Sequence, residues 1–141
     1  MTGECSCGSV RVTIDQPPAY INQCNCSLCD RAGAAWGYFA TASVEVVGTT
    51  RSFERDDRLR PSVAVHQCEE CGDTTHFALT DTFKAENPSA DQMGVNMKLF
   101  RDDDLLGIEV RFPDGRGWSG DGPFGHFREA VVISGEPPWA S

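Results

Sequence analysis

The 141-residue chain has no run of about 20 apolar residues, the length a membrane-crossing helix needs, which argues against a helical membrane span. Basic residues are few. Twelve Lys and Arg stand against 21 Asp and Glu, for a formal charge of −9. No Lys/Arg run builds the basic face that phosphate binding requires, so no nucleic-acid partner is expected. Histidine is scarce as well, with three in the chain. The residues two positions after His66, His76 and His126 are Cys68, Ala78 and Arg128, so the H-x-E motif of zinc deaminases is missing. The start, Met1-Thr2-Gly3-Glu4-Cys5, lacks the basic and apolar regions of a secretory signal, and a cytoplasmic location is expected.

Cysteine is not scarce. In a reducing compartment cysteines serve as ligands or nucleophiles more often than as disulfides, and seven is an odd number for a complete disulfide framework. Cys24-Asn25-Cys26-Ser27-Leu28-Cys29 puts three thiols within six residues, a spacing that lets three sulfurs converge on one point. Three protein ligands leave a fourth position on zinc open, which suits chemistry at the metal. Cys5-x-Cys7 and Cys68-x-x-Cys71-Gly72 are each too short to close a four-thiolate site, and together they supply four ligands. The seven thiols therefore divide into a structural zinc site and a catalytic one. Two other readings stay open. The two knuckles can be unrelated pairs of buried thiols. The three-cysteine site can be closed by His66, His76 or a carboxylate and be structural too.

Alternation gives the fold class. Val10, Val12 and Ile14 alternate with Arg11 and Thr13, the period of a half-buried strand. Further strands are expected over 20–23, 35–39, 43–47, 51–55, 63–66, 75–79, 94–99 and 108–112. Ser27 is expected to cap a short helix running to Ala32, stopped by Gly33. Asp56–Pro61 reads as a charged turn, residues 84–91 as a polar loop broken by Pro88, and 102–106 as a helical turn. The apolar strip Ala130–Ile133 has no assigned place. Gly120–Gly125 matches G-x-G-x-x-G by letter, but it follows no clear strand and reads as a glycine-rich tail. The expectation is a single all-β domain of short antiparallel strands with minimal helix. Residues 1–115 carry the zinc-binding domain. Residues 116–141 form a Gly/Pro-rich extension, packed on it or partly flexible.

Several of these residues resemble one family, the glutathione-dependent formaldehyde-activating enzymes and their centromere protein V relatives. The resemblance rests on Gly3-x-Cys5-x-Cys7-Gly8-x-Val10 and on Cys24-x-Cys26-Ser27-x-Cys29-x-Arg31-x-Gly33 with Trp36. Cys68-x-x-Cys71-Gly72, Gly94-Val95-Asn96 and Phe112-x-Asp114-Gly115 complete it. It implies a zinc-bridged β fold, the beta-tent, with Cys5, Cys7, Cys68 and Cys71 on the structural zinc and Cys24, Cys26 and Cys29 on the catalytic one. Asp30 and Gln67 depart from the family pattern, at places that touch the substrate more than the metals.

The activity implied is that of a carbon–sulfur lyase. It would join glutathione to formaldehyde as S-hydroxymethylglutathione, or cleave a related thiol adduct. Glutathione is a net anion, so an acidic chain needs a local cation. Arg31 beside the motif is the leading candidate, with Lys98, Arg51 and Arg55 behind it. Trp36, Tyr38 and Phe39 either line a pocket or fill the core. A reading of another class competes: a non-catalytic zinc-scaffold binding module. The sequence leaves the electrophile and the oligomeric state open.

Overall fold

The structure is a computed structural model and describes residues 1–55, 61–119 and 121–140. The charged turn expected at 56–61 therefore falls, up to residue 60, outside the described residues. The strands are β1 (Thr2–Glu4), β2 (Arg11–Ile14), β3 (Ile21–Asn22), β4 (Trp36–Phe39), β5 (Val44–Val47) and β6 (Thr50–Glu54). They continue with β7 (Val63–Cys68), β8 (Thr74–Leu79), β9 (Met93–Asn96), β10 (Glu109–Pro113) and β11 (His126–Val132). Two short helices join them, α1 (Ser27–Ala32) and α2 (Asp81–Glu86).

A three-stranded sheet in the order β1-β2-β5 faces an eight-stranded sheet in the order β11-β10-β3-β4-β9-β8-β7-β6. The mostly β, antiparallel expectation holds, with one local departure: β3 runs parallel to β10. The alternation read in β2 is real. Val10, Val12 and Ile14 are fully buried while Arg11 is exposed. They meet Ile21, Val95, Met97, Val110 and Phe112 in one core, each aliphatic side chain contributing about 1.5–3 kcal/mol by leaving water.

Three elements depart from the sequence reading. The strand expected over 94–99 ends at Asn96, and Met97–Leu99 form a 3-10 turn. The polar stretch expected as loop contains the second half of α2, whose start is capped by Thr80 Oγ1 accepting from Phe83 N at 3.1 Å. No residue of α2 is buried, so it has no apolar stripe to betray it. Of the unplaced strip, Ala130–Val132 complete β11, which pairs antiparallel with β10, and Ile133, just past the strand, enters the core. Trp139 packs against the same core. No helix among the described residues is long and apolar enough to cross a membrane.

Two candidate metal centres

Cys5 follows β1 and Cys68 ends β7, so two remote hairpins bring their knuckles together. Cys5 Sγ and Cys7 Sγ lie 3.7 Å apart, and Cys7 Sγ and Cys68 Sγ 3.6 Å apart. A disulfide would need about 2.05 Å. A tetrahedral zinc with sulfurs at about 2.3 Å would hold them about 3.8 Å apart, so this spacing fits a metal. All four sulfurs of Cys5, Cys7, Cys68 and Cys71 lie within 4.8 Å of one another. Backbone amides already point at them: Val10 N donates to Cys5 Sγ at 3.3 Å and Cys71 N to Cys68 Sγ at 3.5 Å. Hydrogen bonds from Ser9 pull the Cys7 thiol down to about 6. Such donors favour thiolate over thiol.

Asp73 ties the two knuckles together. Its Oδ2 accepts from Ser6 N at 2.7 Å and from Ser6 Oγ at 2.5 Å, across 67 positions of chain. The Ser6 hydroxyl holds that carboxyl below its usual range. Sequence reasoning did not see this brace.

The second centre sits at the start of α1. Its cap is Cys26 rather than Ser27: Cys26 has extended backbone, and its Sγ accepts from Cys29 N at 3.4 Å. The C-x-x-C spacing sets that cap, because an N-cap side chain meets the amide three residues on. Cys24 Sγ in turn accepts from Cys26 N at 3.4 Å. Gly33 ends the helix in the left-handed region, at φ 66°. The sulfurs of Cys24, Cys26 and Cys29 all lie within 4.8 Å of one another, and all three residues are half-buried. Hydrogen bonds from the Cys24 and Cys29 thiols pull Cys26 down to about 2, and the same bonds push Cys24 and Cys29 up. A divalent ion is what would let all three ionise together. His66 and His76 belong to neither thiol group. Their rings stack on each other at 4.2 Å, and each Nδ1 meets a threonine hydroxyl.

A segment remote in sequence closes over this centre. Asn25 Nδ2 donates to Asp114 Oδ1 at 2.9 Å. Arg116 Nε donates to Asn25 O at 2.6 Å, and its Nη2 reaches Asp30 Oδ2 at 3.1 Å. Gly115 lies against Cys24 and Cys26. Asn25, Arg116 and Trp118 were missed by sequence reasoning, and no local pattern marks them.

The three anticipated substrate contacts take different places. Arg31 is exposed and lines two clefts. One, of about 490 Å³, is also lined by Cys26, Arg55, Arg116 and Trp118. The other, of about 320 Å³, is lined by Lys98, Asn96 and Gln67. Lys98 thus shares a cleft with Arg31 but not with the thiols, and burial lowers the pKa of its ammonium. Trp36 is 3% exposed and packs edge-on to Phe77 at 5.0 Å, in the apolar cluster behind Leu28 and Cys29. Of the weaker cation candidates, Arg51 is exposed on β6 and Arg55 donates to Ser27 Oγ at 3.4 Å.

The sequence profile of the glutathione-dependent formaldehyde-activating enzymes matches residues 1–106, a span that holds all seven cysteines. The chain belongs to that family. No curated protein matches the sequence significantly. Among solved structures, a Rhodobacter sphaeroides protein superposes with a TM-score of 0.54 at 24% identity, over 72% of this chain and 88% of its own. That likeness is one of fold. The family match stops before Asp114, so the segment that closes over Cys24 and Cys26 lies beyond it.

Proposed function

We propose that this chain is a zinc-dependent carbon–sulfur lyase acting on glutathione adducts. In this reading it forms S-hydroxymethylglutathione from glutathione and formaldehyde, or cleaves a related thiol adduct. One observation carries the proposal: in a member of this family, three thiols converge beside an open cleft while four others gather separately. Cys5, Cys7, Cys68 and Cys71 hold a structural zinc that ties the sheets into the beta-tent arrangement. Cys24, Cys26 and Cys29 hold the catalytic zinc. When bound there, zinc supplies an open coordination position that lowers the pKa of a substrate thiol and polarises a carbonyl.

The chain's own residues supply the rest. Arg31, without a hydrogen bond or ion pair among the described residues, pairs with a glutathione carboxylate. Asn25, Asp114 and Arg116 hold the cleft wall against the thiols. In the forward reaction the thiol sulfur forms a bond to the aldehyde carbon and the thiol proton ends on the aldehyde oxygen; cleavage is the reverse. Residues 1–115 form the catalytic domain, and 116–141 are an extension packed on it. The location is cytoplasmic and the partner a small-molecule thiol.

Metal analysis together with exchange NMR of formaldehyde and glutathione tests this. The expected result is two zincs per chain and faster exchange between free and adduct formaldehyde. One inert zinc and an unchanged exchange rate would instead fit a binding scaffold.

A further inference from the structure

Arg31 stands between two clefts of different chemistry. On one side lies the cleft of about 490 Å³ with Cys26 and Trp118, and on the other the cleft of about 320 Å³ with Lys98 and Asn96. Cavities of about 300–1,000 Å³ take whole small molecules. The carbon of formaldehyde would occupy a small part of the first.

The cations of these clefts are not equally available. Arg116 is committed to Asn25 O and Asp30, so it braces the wall. Arg55 reaches Ser27. Arg31 and the half-buried Lys98 ammonium have no hydrogen bond or ion pair among the described residues. Asp73 also lines their shared cleft; its Oδ2 accepts from Ser6, which keeps the carboxylate ionised beside the two cations. Two cations against the one Asp73 carboxylate leave this cleft with an excess of positive charge in a chain of charge −9, which suits an anionic ligand end such as a carboxylate.

Trp118 presents the opposite chemistry. Its Nε1 donates to Gly122 O at 3.0 Å, so the ring asks nothing polar of a ligand. Its ring stacks on Phe124 at 4.4 Å and 28°, which fixes it as a platform. Such a platform favours flat apolar groups over a hydroxymethyl group. It also lies beyond the part of the chain that matches the family.

We infer that the substrate straddles Arg31: its anionic carrier end lies in the Lys98 cleft, and the group carried on its sulfur is apolar, larger than one carbon, and lies against Trp118. The inference rests on the glutathione reading above and narrows it to adducts of bulkier electrophiles.

Calorimetry on the zinc-loaded protein tests it with two thioethers that are not turned over, S-methylglutathione and S-benzylglutathione. The benzyl compound is expected to bind about tenfold more tightly, a gain typical of one well-placed aromatic contact. Trp118→Ala should remove that difference, and Trp118→Phe should restore most of it. Lys98→Ala should weaken both compounds alike. Equal affinities in the natural protein, or a benzyl gain that survives Trp118→Ala, overturn the inference while leaving the glutathione reading intact. If glutathione and both thioethers all fail to bind, the glutathione reading falls and takes this inference with it.

Discussion

Gly115 and Cys26 are in backbone-close contact: a Cβ added at Gly115 would stand 2.6 Å from Cys26 Cβ and 2.8 Å from Cys24 Sγ. Nothing but hydrogen fits there without moving the thiols. The neighbouring Asp114 fixes that approach, because its Oδ1 accepts from both Asn25 Nδ2 and Gly117 N. The position of the three-cysteine centre is therefore set from two directions, by α1 beneath it and by the segment after β10 above it.

Gly115→Ala is expected to displace Cys24 and Cys26 and lower affinity at the three-cysteine centre about 10- to 100-fold, the usual effect of disturbing an outer shell. The four-cysteine centre, built from other elements, should keep its metal. Metal content per chain after dialysis against a mild chelator checks this. Retention of two metals would show that the segment shifts without cost.

Exchanging one ligand in each centre should have opposite consequences. Cys71→Ser breaks the link between two remote hairpins, where metal binding and folding are coupled, and should leave the chain largely unfolded. Cys26→Ser keeps an oxygen that caps Cys29 N as well as sulfur does. It should therefore spare the fold, with a stability change of about 1 kcal/mol, and lower activity by at least about 100-fold. Circular dichroism melts beside turnover assays separate the two. A folded, metal-loaded Cys71→Ser protein would contradict the structural assignment.

What the sequence disclosed and what it hid follow from range. The thiol groupings were legible because ligand spacing within a knuckle is local and because unpaired knuckles demand each other. The β2 strand was legible because Val10, Val12 and Ile14 face one core. The wall over the thiols was not, since Asn25 and Asp114 are 89 positions apart and form no repeating pattern. Helix α2 stayed hidden because it buries nothing. The cap at Cys26 was misread as Ser27 because a sulfur acceptor was not weighed against a hydroxyl.

Arg31→Ala removes an exposed cation that lines both clefts and has no hydrogen-bond or ion-pair partner among the described residues. If it binds a substrate carboxylate equally in the ground and transition states, KM should rise about tenfold with kcat changed less than about twofold. The effect should shrink at high salt, because the pair is solvent-exposed. Steady-state kinetics at two ionic strengths are sufficient. An unchanged KM would move the anion site to Lys98 alone.

The His66–His76 stack gives the fold an acid limit of its own. His76 is 6% exposed, stacked on His66 at 4.2 Å, with its Nδ1 2.8 Å from Thr75 Oγ1. Burial first, and the neighbouring His66 second, hold its pKa near 4 instead of the ordinary 6.5. The folded chain thus keeps His76 neutral where the unfolded chain takes up a proton. Below pH 6.5 the unfolded state binds more protons, so stability falls with pH until about pH 4, where the folded state protonates too. The full difference is on the order of 3 kcal/mol. Acid also releases metal from thiolates, which steepens the same slope. His76→Phe separates the two effects, since it keeps a ring against His66 and removes the proton site. Denaturant melts from pH 7 to pH 4 should show a shallower loss of stability in that variant than in the natural protein. Equal slopes would mean that metal release alone governs the acid limit and that His76 titrates normally.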